Sequence, residues 1–327
     1  MGDLTRLGFV GLGWWGQTLA TATRRSGEAE VAVGCAGSGT ARDRFTAEFG
    51  CPTVSDVDAV LADPAVDAVV LATPHTTHAD LTVRAAQAGK HVFVEKPLAL
   101  DVAGARRAVD AAAAAGVVLQ VGHNRRFQAA NRRIKQVIDA GELGMVHQLE
   151  ANMSAPTAFG WPAGAWRQQA AELPGGGLTV MGVHMIDTMH YLVGTPELVF
   201  GRSKRILSLT DVDEATGALL EFASGPIGYL GTSVVIPNVV RIAVFGSDAA
   251  VWNEQDGTRL FRQGRDEKVR TELPLEPNDS LAEEMAQFGR CARTGEPPEV
   301  DGAVGLAAVA TMAAIVDSAR TGVPVRL

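Results

Sequence analysis

The stretch LGFVGLGWWG, residues 7–16, contains the spacing G-x-G-x-x-G at Gly11, Gly13 and Gly16. It follows a short apolar run and precedes the amphipathic segment QTLATATRR, so the glycines lie between a predicted strand and a predicted helix. In that context Gly11 permits a tight turn, Gly13 permits close approach of a pyrophosphate, and Gly16 permits close packing of helix on strand. The stretch therefore predicts a dinucleotide-binding turn with phosphate at the helix N-terminus, the alternative being a glycine-rich turn without a ligand.

Strand and helix patterns continue to alternate through the first third of the chain. Apolar runs that read as strands are EVAVGCA, DAVVLATP, HVFVEKP and VVLQVGHN. Amphipathic or alanine-rich segments that read as helices are TARDRFTAEFG, HADLTVRAAQAGK and DVAGARRAVDAAAAAG. Continuous Val/Leu strands between helices indicate a parallel sheet covered on both faces, and right-handed crossovers then give a doubly wound α/β fold of the Rossmann type.

Length, charge and cysteine content restrict the class of protein. A chain of 327 residues is longer than one hydrophobic core usually serves, so two domains are expected. The formal charge of −8 argues against nucleic acid or an anionic membrane surface as the main partner. The three cysteines show no CxxC spacing, and the N-terminus lacks the apolar core of a secretory signal. We expect a cytoplasmic protein with no membrane span.

The end of the second strand offers no carboxylate to the cofactor ribose. About 20 residues after the glycines, where NAD-preferring sites usually carry an acid, the chain has Cys35 and Ser38, with Arg42 just beyond. A serine and an arginine can bind a 2′-phosphate, and no acid is present to repel it. This pattern modestly favours NADP over NAD as the cofactor. The alternative is that the arginine is a solvated helix residue and does not select between the two.

Two further strand ends bring polar side chains to the same edge of the sheet. HVFVEKP ends in Glu95 and Lys96 before Pro97, whose peptide bond is a candidate for the cis form, and the preceding strand ends in Thr73 and Pro74, followed by His78. A lysine beside an oxidised nicotinamide would have its pKa pushed down toward the range of a general base. The alternative is a surface lysine paired with Glu95.

A later apolar segment, GGGLTVMGVHMIDTMHYLVG at residues 175–194, contains His184 and Asp187 one helical turn apart. Buried polar groups need partners or a use. A metal site formed with His190 is disfavoured because successive steps of three rotate the outer ligands about 120° apart on a helix. The remaining alternatives are a catalytic histidine and a core histidine bonded to Asp187.

Taken together, these motifs resemble the Gfo/Idh/MocA family of oxidoreductases, which contains glucose–fructose oxidoreductase and inositol dehydrogenases. The resemblance is carried in family order by GFVGLGWWG, DAVVLATPHTTHADLTVRAAQAGKHVFVEKPLAL, VGHNRRFQAANRRIKQVIDAGELG, LPGGGLTVMGVHMIDTMHYLVG and DEATGALLEFASGPIG. It implies a Rossmann domain over residues 1–123 and an α/β domain over residues 124–327, built on a large, open, mostly antiparallel sheet, with the last helix packing back toward the first domain. It also implies hydride transfer between NAD(P) and a hydroxyl or keto carbon of a sugar, sugar derivative or cyclitol.

The resemblance assigns roles to particular residues. Lys96 and His184 would handle the proton of the substrate hydroxyl, and Asp187 would accept a substrate hydroxyl or orient the imidazole. Arg126, Trp166 and Arg167 are weaker candidates for lining the substrate pocket. The residues expected to contact the cofactor are Gly11, Gly13, Trp14, Trp15, Gly16, Cys35, Ser38, Arg42, Thr73, Pro74, His78, Glu95 and Lys96.

One position departs from the family pattern. Many members carry an aspartate four residues before the histidine, and here that residue is Val180. Valine cannot relay a proton, so two alternatives stay open: a lyase or hydrolase that uses bound NAD transiently, and a catalytically silent NAD(P)-binding protein. The resemblance also implies a homodimer or homotetramer formed through the open sheet.

Overall fold

The computed structural model describes residues 4–327, which form two compact units. The N-terminal stretch from which we argued against a secretory signal begins at residue 1, and its first three residues lie outside the described part. Unit 1 comprises the chain up to Asn124 together with Asp279–Leu306, and unit 2 comprises Arg125–Asn278 with Ala307–Leu327. The sequence-based division placed everything after residue 123 in one domain. Asp279–Leu306 joins unit 1 instead because Met285 and Phe288 pack in the same core as Phe9 and Phe93.

The strands and helices follow the chain in regular order. The strands are β1 (Thr5–Val10), β2 (Ala29–Cys35), β3 (Thr53–Val54), β4 (Ala68–Leu71), β5 (His91–Glu95), β6 (Leu119–Gly122), β7 (Val146–Ser154), β8 (Pro196–Lys204), β9 (Ala215–Phe222), β10 (Ile227–Ser233), β11 (Val239–Gly246), β12 (Ala249–Glu254), β13 (Arg259–Gly264), β14 (Thr271–Leu273) and β15 (Val325–Arg326). The α-helices are α1 (Trp14–Ser26), α2 (Gly39–Phe49), α3 (Val57–Ala62), α4 (His78–Gln87), α5 (Val102–Ala115), α6 (Ala129–Asp139), α7 (Val183–Val193), α8 (Ser280–Thr294) and α9 (Gly302–Thr321).

Unit 1 is built on a parallel six-stranded sheet, which confirms the predicted Rossmann fold. The strand order is β3-β2-β1-β4-β5-β6. All of β4 and most of β5 are buried, as expected for Val-rich strands covered by helices on both faces. Strands β2 and β3 follow β1 toward one edge of the sheet, whereas β4, β5 and β6 extend toward the other edge, so the strand order reverses between β1 and β4. Open α/β sheets bind ligands at such a switch point, beyond the carboxyl ends of their strands.

Unit 2 is built on a nine-stranded sheet in the order β14-β13-β12-β11-β7-β10-β9-β8-β15. Strands β7 and β10 run parallel, and the other neighbouring pairs run antiparallel. One face packs against α6, α7 and the second half of α9 through a common apolar core. The opposite face exposes Ile227, Tyr229 and Val239. The predicted open, mostly antiparallel sheet is confirmed.

Helix α9 has the length and apolar composition of a membrane span, with half of its most apolar window buried. Ala308, Met312 and Ile315 are fully buried in the core that lies on the nine-stranded sheet. The apolar composition of this helix is therefore explained by its position in the core.

Candidate active site

The glycine-rich turn after β1 depends on backbone geometry that other residues cannot adopt. Gly11 has φ +97°, and a Cβ there would lie 2.3 Å from the carbonyl oxygen of Ala72. A Cβ on Gly16 would lie 2.0 Å from the carbonyl oxygen of Gly11, so the helix can approach the turn only at a glycine. Gly13, in contrast, has nothing within 4 Å of an added Cβ. The turn thus packs tightly on one side and leaves open space at its middle glycine.

The N-terminus of α1 opens directly from this turn. Gly13 is the N-cap residue and its helix end carries no side-chain cap. The first amides of a helix without such a cap can donate to an anion, and the helix dipole favours a negative charge there. Trp14, a predicted cofactor contact, is 75% exposed at the first helical position. The open space at Gly13 and the uncapped helix end together fit a pyrophosphate.

The end of β2 places the three residues predicted to choose between NAD and NADP near the start of α2. The Cys35 side chain is buried, and burial raises the pKa of its thiol. The backbone carbonyl of Cys35 accepts from the Gly11 amide at 2.9 Å. Ser38 is the N-cap of α2, and its Oγ accepts from the amide of Ala41. Arg42 Nη1 donates to the carbonyls of Ala36 and Gly37 at 2.6 and 3.0 Å. The half-buried Arg42 guanidinium is thereby held against the loop that follows β2.

The segment after β4 is held by hydroxyls and an imidazole. Thr73 Oγ1 bonds with Thr77 Oγ1 at 2.6 Å, and Thr77 Oγ1 also donates to the carbonyl of Pro74. The imidazole of His78, which is fully buried, contacts the carbonyl of Pro97 through Nδ1 at 2.8 Å and that of Thr73 through Nε2 at 2.9 Å. A neutral imidazole carries one N–H, so the tautomer decides which of the two carbonyls accepts a hydrogen bond. His78 thus connects the ends of β4 and β5.

Strand β5 ends in the buried carboxyl of Glu95, next to Lys96 and a cis Lys96–Pro97 peptide bond. Oε1 of Glu95 accepts from the indole Nε1 of Trp15, and Oε2 accepts from the backbone amide of Lys96 at 3.1 Å. Burial raises the pKa of Glu95 to about 7, although the Lys96 charge and the two hydrogen bonds act in the opposite direction. The sequence placed Trp15 and Glu95 in the site without showing that they bond to each other.

Gly122 is a site residue that the sequence analysis missed. It ends β6, beside β5, and a Cβ there would lie 2.8 Å from Oε1 of Glu95. The signal in the sequence is a glycine at the end of the strand run VVLQVG, where it can mark a close approach of another group. Gly122 leaves the room that the Glu95 carboxyl occupies.

In unit 2 the segment around His184 is not a continuous α-helix. Leu178–Gly182 forms a π-helix, and α7 begins at Val183. Four residues span close to one turn in either kind of helix, so Val180 still precedes His184 by about one turn across this junction. Val180 packs with the apolar cluster of Ala158, Met181 and Val234. The buried His184 lies just beyond this irregular stretch, and its carbonyl accepts from Thr188 Oγ1 at 2.8 Å.

Asp187 and Arg126 form a buried ion pair. Arg126 Nε donates to both carboxylate oxygens at 3.1 and 3.0 Å, and Nη2 donates to Oδ1 at 2.8 Å. The side chains are 9% and 1% exposed, and the guanidinium also lies 5.3 Å from the centroid of the Tyr191 ring. Arg126 and Asp187, predicted separately as substrate contacts, are brought together in one pair.

Trp166 and Arg167 lie in a short 3-10 helix, Trp166–Gln168, and both are half-buried. The Arg167 guanidinium carbon lies 4.2 Å from the centroid of the Trp166 ring, and burial lowers the pKa of this arginine. The quadrupole of the indole ring attracts the stacked guanidinium.

The residues weighed as a metal site have other contacts. Asp187 bonds to Arg126, and His190 Nε2 bonds with Thr311 Oγ1 at 3.1 Å. Among residues 4–327, no group of three or more His, Cys, Asp or Glu side chains is placed to hold a metal ion.

Comparison with known protein families gives two adjacent matches. Residues 5–123 match the model of an oxidoreductase family with an NAD-binding Rossmann fold. Residues 131–252 match the model of the GFO/IDH/MocA C-terminal domain. The two matches together cover most of the chain and fall on the parallel sheet and on much of the antiparallel sheet.

Individual relatives align with most of the chain. A scyllo-inositol 2-dehydrogenase (NAD(+)) from Bacillus subtilis is 30% identical, covering 82% of this chain and 80% of the relative. A D-xylose 1-dehydrogenase (NADP(+)) from Haloferax volcanii is also 30% identical, covering 86% of each. A solved structure from Desulfitobacterium hafniense, provisionally assigned as an NADPH-dependent oxidoreductase, is 28% identical with a TM-score of 0.94, covering 100% of this chain and 98% of the other.

Proposed function

This chain belongs to the Gfo/Idh/MocA family of oxidoreductases, and we propose that it transfers a hydride between NAD(P) and a hydroxyl or keto carbon of a sugar, sugar derivative or cyclitol. The observation that carries the proposal is the glycine turn at the switch point of the sheet, connected through the Trp15–Glu95 hydrogen bond to the strand end that bears Lys96. Relatives named for inositol and xylose dehydrogenation support this choice of substrate class.

The residues of the turn fit a dinucleotide. The open space at Gly13 and the uncapped amides of α1 would hold the pyrophosphate, with the helix dipole favouring its charge. The bound nicotinamide would supply the hydride chemistry. The protein's contribution is to bind and orient the cofactor and to move the proton of the substrate hydroxyl.

Lys96 and His184 are the residues we assign to that proton. An amine and an imidazole can each act as a general base when their environment brings the pKa near the working pH. Asp187 has a different role from the one first expected: because its carboxylate is fully buried and bonded to Arg126, it acts as a positioning residue for α7. Trp166 and Arg167 remain our candidates for contacts with the sugar ring.

NADP is the cofactor we favour. Arg42 is held at the end of β2 by two carbonyls, and Ser38 lies at the N-terminus of α2 beside it. A guanidinium and a helix N-terminus both attract a phosphate, and no carboxylate is present among the residues from Cys35 to Arg42. NAD is the alternative, since the two relatives above differ in the cofactor that their names state.

A transient-oxidation lyase or hydrolase and a catalytically silent protein are not favoured. Both were motivated by Val180, but the relatives that align with most of the chain are named as dehydrogenases. We also infer a cytoplasmic homodimer or homotetramer. Its contact face would be the open side of the nine-stranded sheet, where Ile227, Tyr229 and Val239 are exposed.

The test is to titrate the purified protein with NADPH and NADH while following nicotinamide fluorescence, and then to screen cyclitols and aldoses for hydride exchange. We expect NADPH to bind more tightly, and Arg42→Ala to reduce that difference. Equal affinities for the two nucleotides would refute the phosphate site but not the oxidoreductase.

Turnover then tests the acid–base assignment. Lys96→Ala and His184→Ala should each slow turnover by about 10²-fold or more. Matched controls are Lys135→Ala, which removes a surface lysine paired with Asp139, and His147→Ala, which removes an exposed histidine. Both controls should turn over at the wild-type rate. Unchanged rates in the two active-site variants would show that the pair is misassigned.

A further inference from the structure

The carboxyl of Glu95 bridges two elements that are far apart in the chain. Trp15 lies in the first turn of α1 and is 80 residues from Glu95, yet its indole donates to Oε1. The other oxygen accepts from the amide of Lys96. An indole N–H can only donate, and a buried carboxyl needs donors, so the two groups are matched in chemistry.

The surroundings of the carboxyl leave little freedom for it to move. Gly122 on β6 lies so close that a Cβ would be 2.8 Å from Oε1 and 3.0 Å from Cδ. His78, from α4, contacts the Pro97 carbonyl on the other side of Lys96. The backbone of Lys96 is therefore fixed from both directions, and on the Glu95 side the fixed point is the same carboxyl that holds Trp15.

We propose that Trp15 and Glu95 form a positioning pair that couples the glycine-rich turn to the backbone of Lys96, making Trp15 a determinant of turnover more than of nucleotide affinity. The physical route is short. A pyrophosphate bound at the N-terminus of α1 restrains the first helical turn, which carries Trp15, and the indole–carboxyl bond passes that restraint to the Lys96 amide. This inference rests on the proposed function of the glycine turn and Lys96.

The protonation state of Glu95 sets how strongly the pair holds. An ionised carboxyl accepts stronger hydrogen bonds than a neutral one. Lys96 is the charged neighbour of this carboxyl, Trp15 and Gly122 carry no charge, and the burial of Glu95 brings its pKa to about 7. The bond to the indole should therefore strengthen as the pH rises through neutrality.

The first test is a double-mutant cycle on the full chain. Trp15→Phe removes the N–H and keeps an aromatic ring, and Glu95→Gln keeps one acceptor but cannot accept from both donors. Each should lower kcat about tenfold while the Kd for NADPH changes by less than about threefold. The double variant should be no slower than the slower single variant, because one bond accounts for both losses. Trp252→Phe, a tryptophan change on β12, is the matched control.

The second test needs neither substrate nor turnover. The tryptophan emission of the wild type, minus that of Trp15→Phe, should change across pH 5–9 with a midpoint near 7, and this transition should be absent in Glu95→Gln. If Glu95→Gln does not fold, the transition can still be measured as the difference in emission between the wild type and Trp15→Phe. A missing transition, multiplicative losses of kcat in the double variant, or wild-type kcat in Trp15→Phe would overturn the pair. If the transition appears in a protein that binds no nucleotide, the pair stands and the proposed function fails.

Discussion

In unit 1 the turn from Gly11 to Gly16 is shaped by the backbone, whereas in unit 2 the segment from Leu178 to Val193 is held by its side chains. The turn needs a left-handed residue at Gly11 and contacts that exclude a Cβ at Gly16. The segment in unit 2 needs a guanidinium from Arg126 to neutralise a carboxylate buried on α7. Backbone sterics are satisfied by choosing glycine at one position, but a buried charge requires a second residue elsewhere in the chain.

The two buried carboxyls continue this comparison. Asp187 accepts three hydrogen bonds from one guanidinium. Glu95 accepts from two N–H groups that carry no charge, and burial dominates its ionisation. A carboxylate with a full counter-charge contributes differently to stability from one held by neutral donors.

Asp187→Ala should have the largest effect on stability. It leaves the Arg126 guanidinium buried without its carboxylate, and breaking a buried pair in this way costs about 3–5 kcal/mol of unfolding free energy. Urea unfolding measures the loss. The double change Arg126→Met with Asp187→Leu should recover most of it, because apolar residues of similar volume carry no unpaired charge. A loss below about 1 kcal/mol in Asp187→Ala would show that the pair does not hold α7.

The pH dependence of stability should report Glu95. Its folded-state pKa of about 7 lies above the ordinary value of 4.5, so the folded protein keeps a proton that the unfolded chain loses between these values. This group therefore makes the wild type less stable as the pH rises from about 4.5 to 7, by up to about 3 kcal/mol, with no further change above that range. Unfolding at several pH values should show this slope in the wild type relative to Glu95→Gln. Parallel curves for the two proteins would contradict the raised pKa.

Substitutions of the middle and last glycines of the turn should have different effects, one on nucleotide affinity and the other on the free energy of unfolding. Gly16→Ala places a Cβ against the Gly11 carbonyl and should cost about 1–3 kcal/mol of stability. Gly13→Ala meets nothing within 4 Å and should change stability by less than about 0.5 kcal/mol, yet weaken NADPH binding about tenfold or more. Thermal unfolding and nucleotide titration of both variants make the comparison. Wild-type nucleotide affinity in Gly13→Ala would show that the pyrophosphate does not bind at this turn.

The smallest effect is expected at a surface ion pair of unit 1. Arg25 donates to Asp279 at 2.6 Å with both side chains nearly half exposed, and this bond is the main cause of the lowered pKa of Asp279. Asp279 is also the N-cap of α8, where it accepts from Ala282. Asp279→Asn keeps the cap and should cost about 0.2–1 kcal/mol, less at high salt. Asp279→Ala should cost about 1 kcal/mol more, and equal losses in the two variants would exclude the capping role.

Some elements of the candidate site could be recognised from local sequence, and others could not. Gly11 and Gly16 were assigned correct steric roles because a strand, a glycine spacing and a helix follow each other directly in the chain. The π-helix at Leu178–Gly182 was missed because an apolar run with α-helical spacing does not show where one extra residue will be accommodated. Gly122 was missed because its neighbour, Glu95, lies on a different strand.

The order of motifs along the chain was enough to determine the α/β class, the parallel sheet and the family, since strand and helix periodicity and glycine spacing are local properties. Only the tertiary structure decided that Asp279–Leu306 joins unit 1, that Arg126 pairs with Asp187, and that Trp15 bonds to Glu95. The physical reason is that these contacts depend on how separate elements meet in space. The partners of the two side-chain pairs are 61 and 80 residues apart, and no spacing rule connects them.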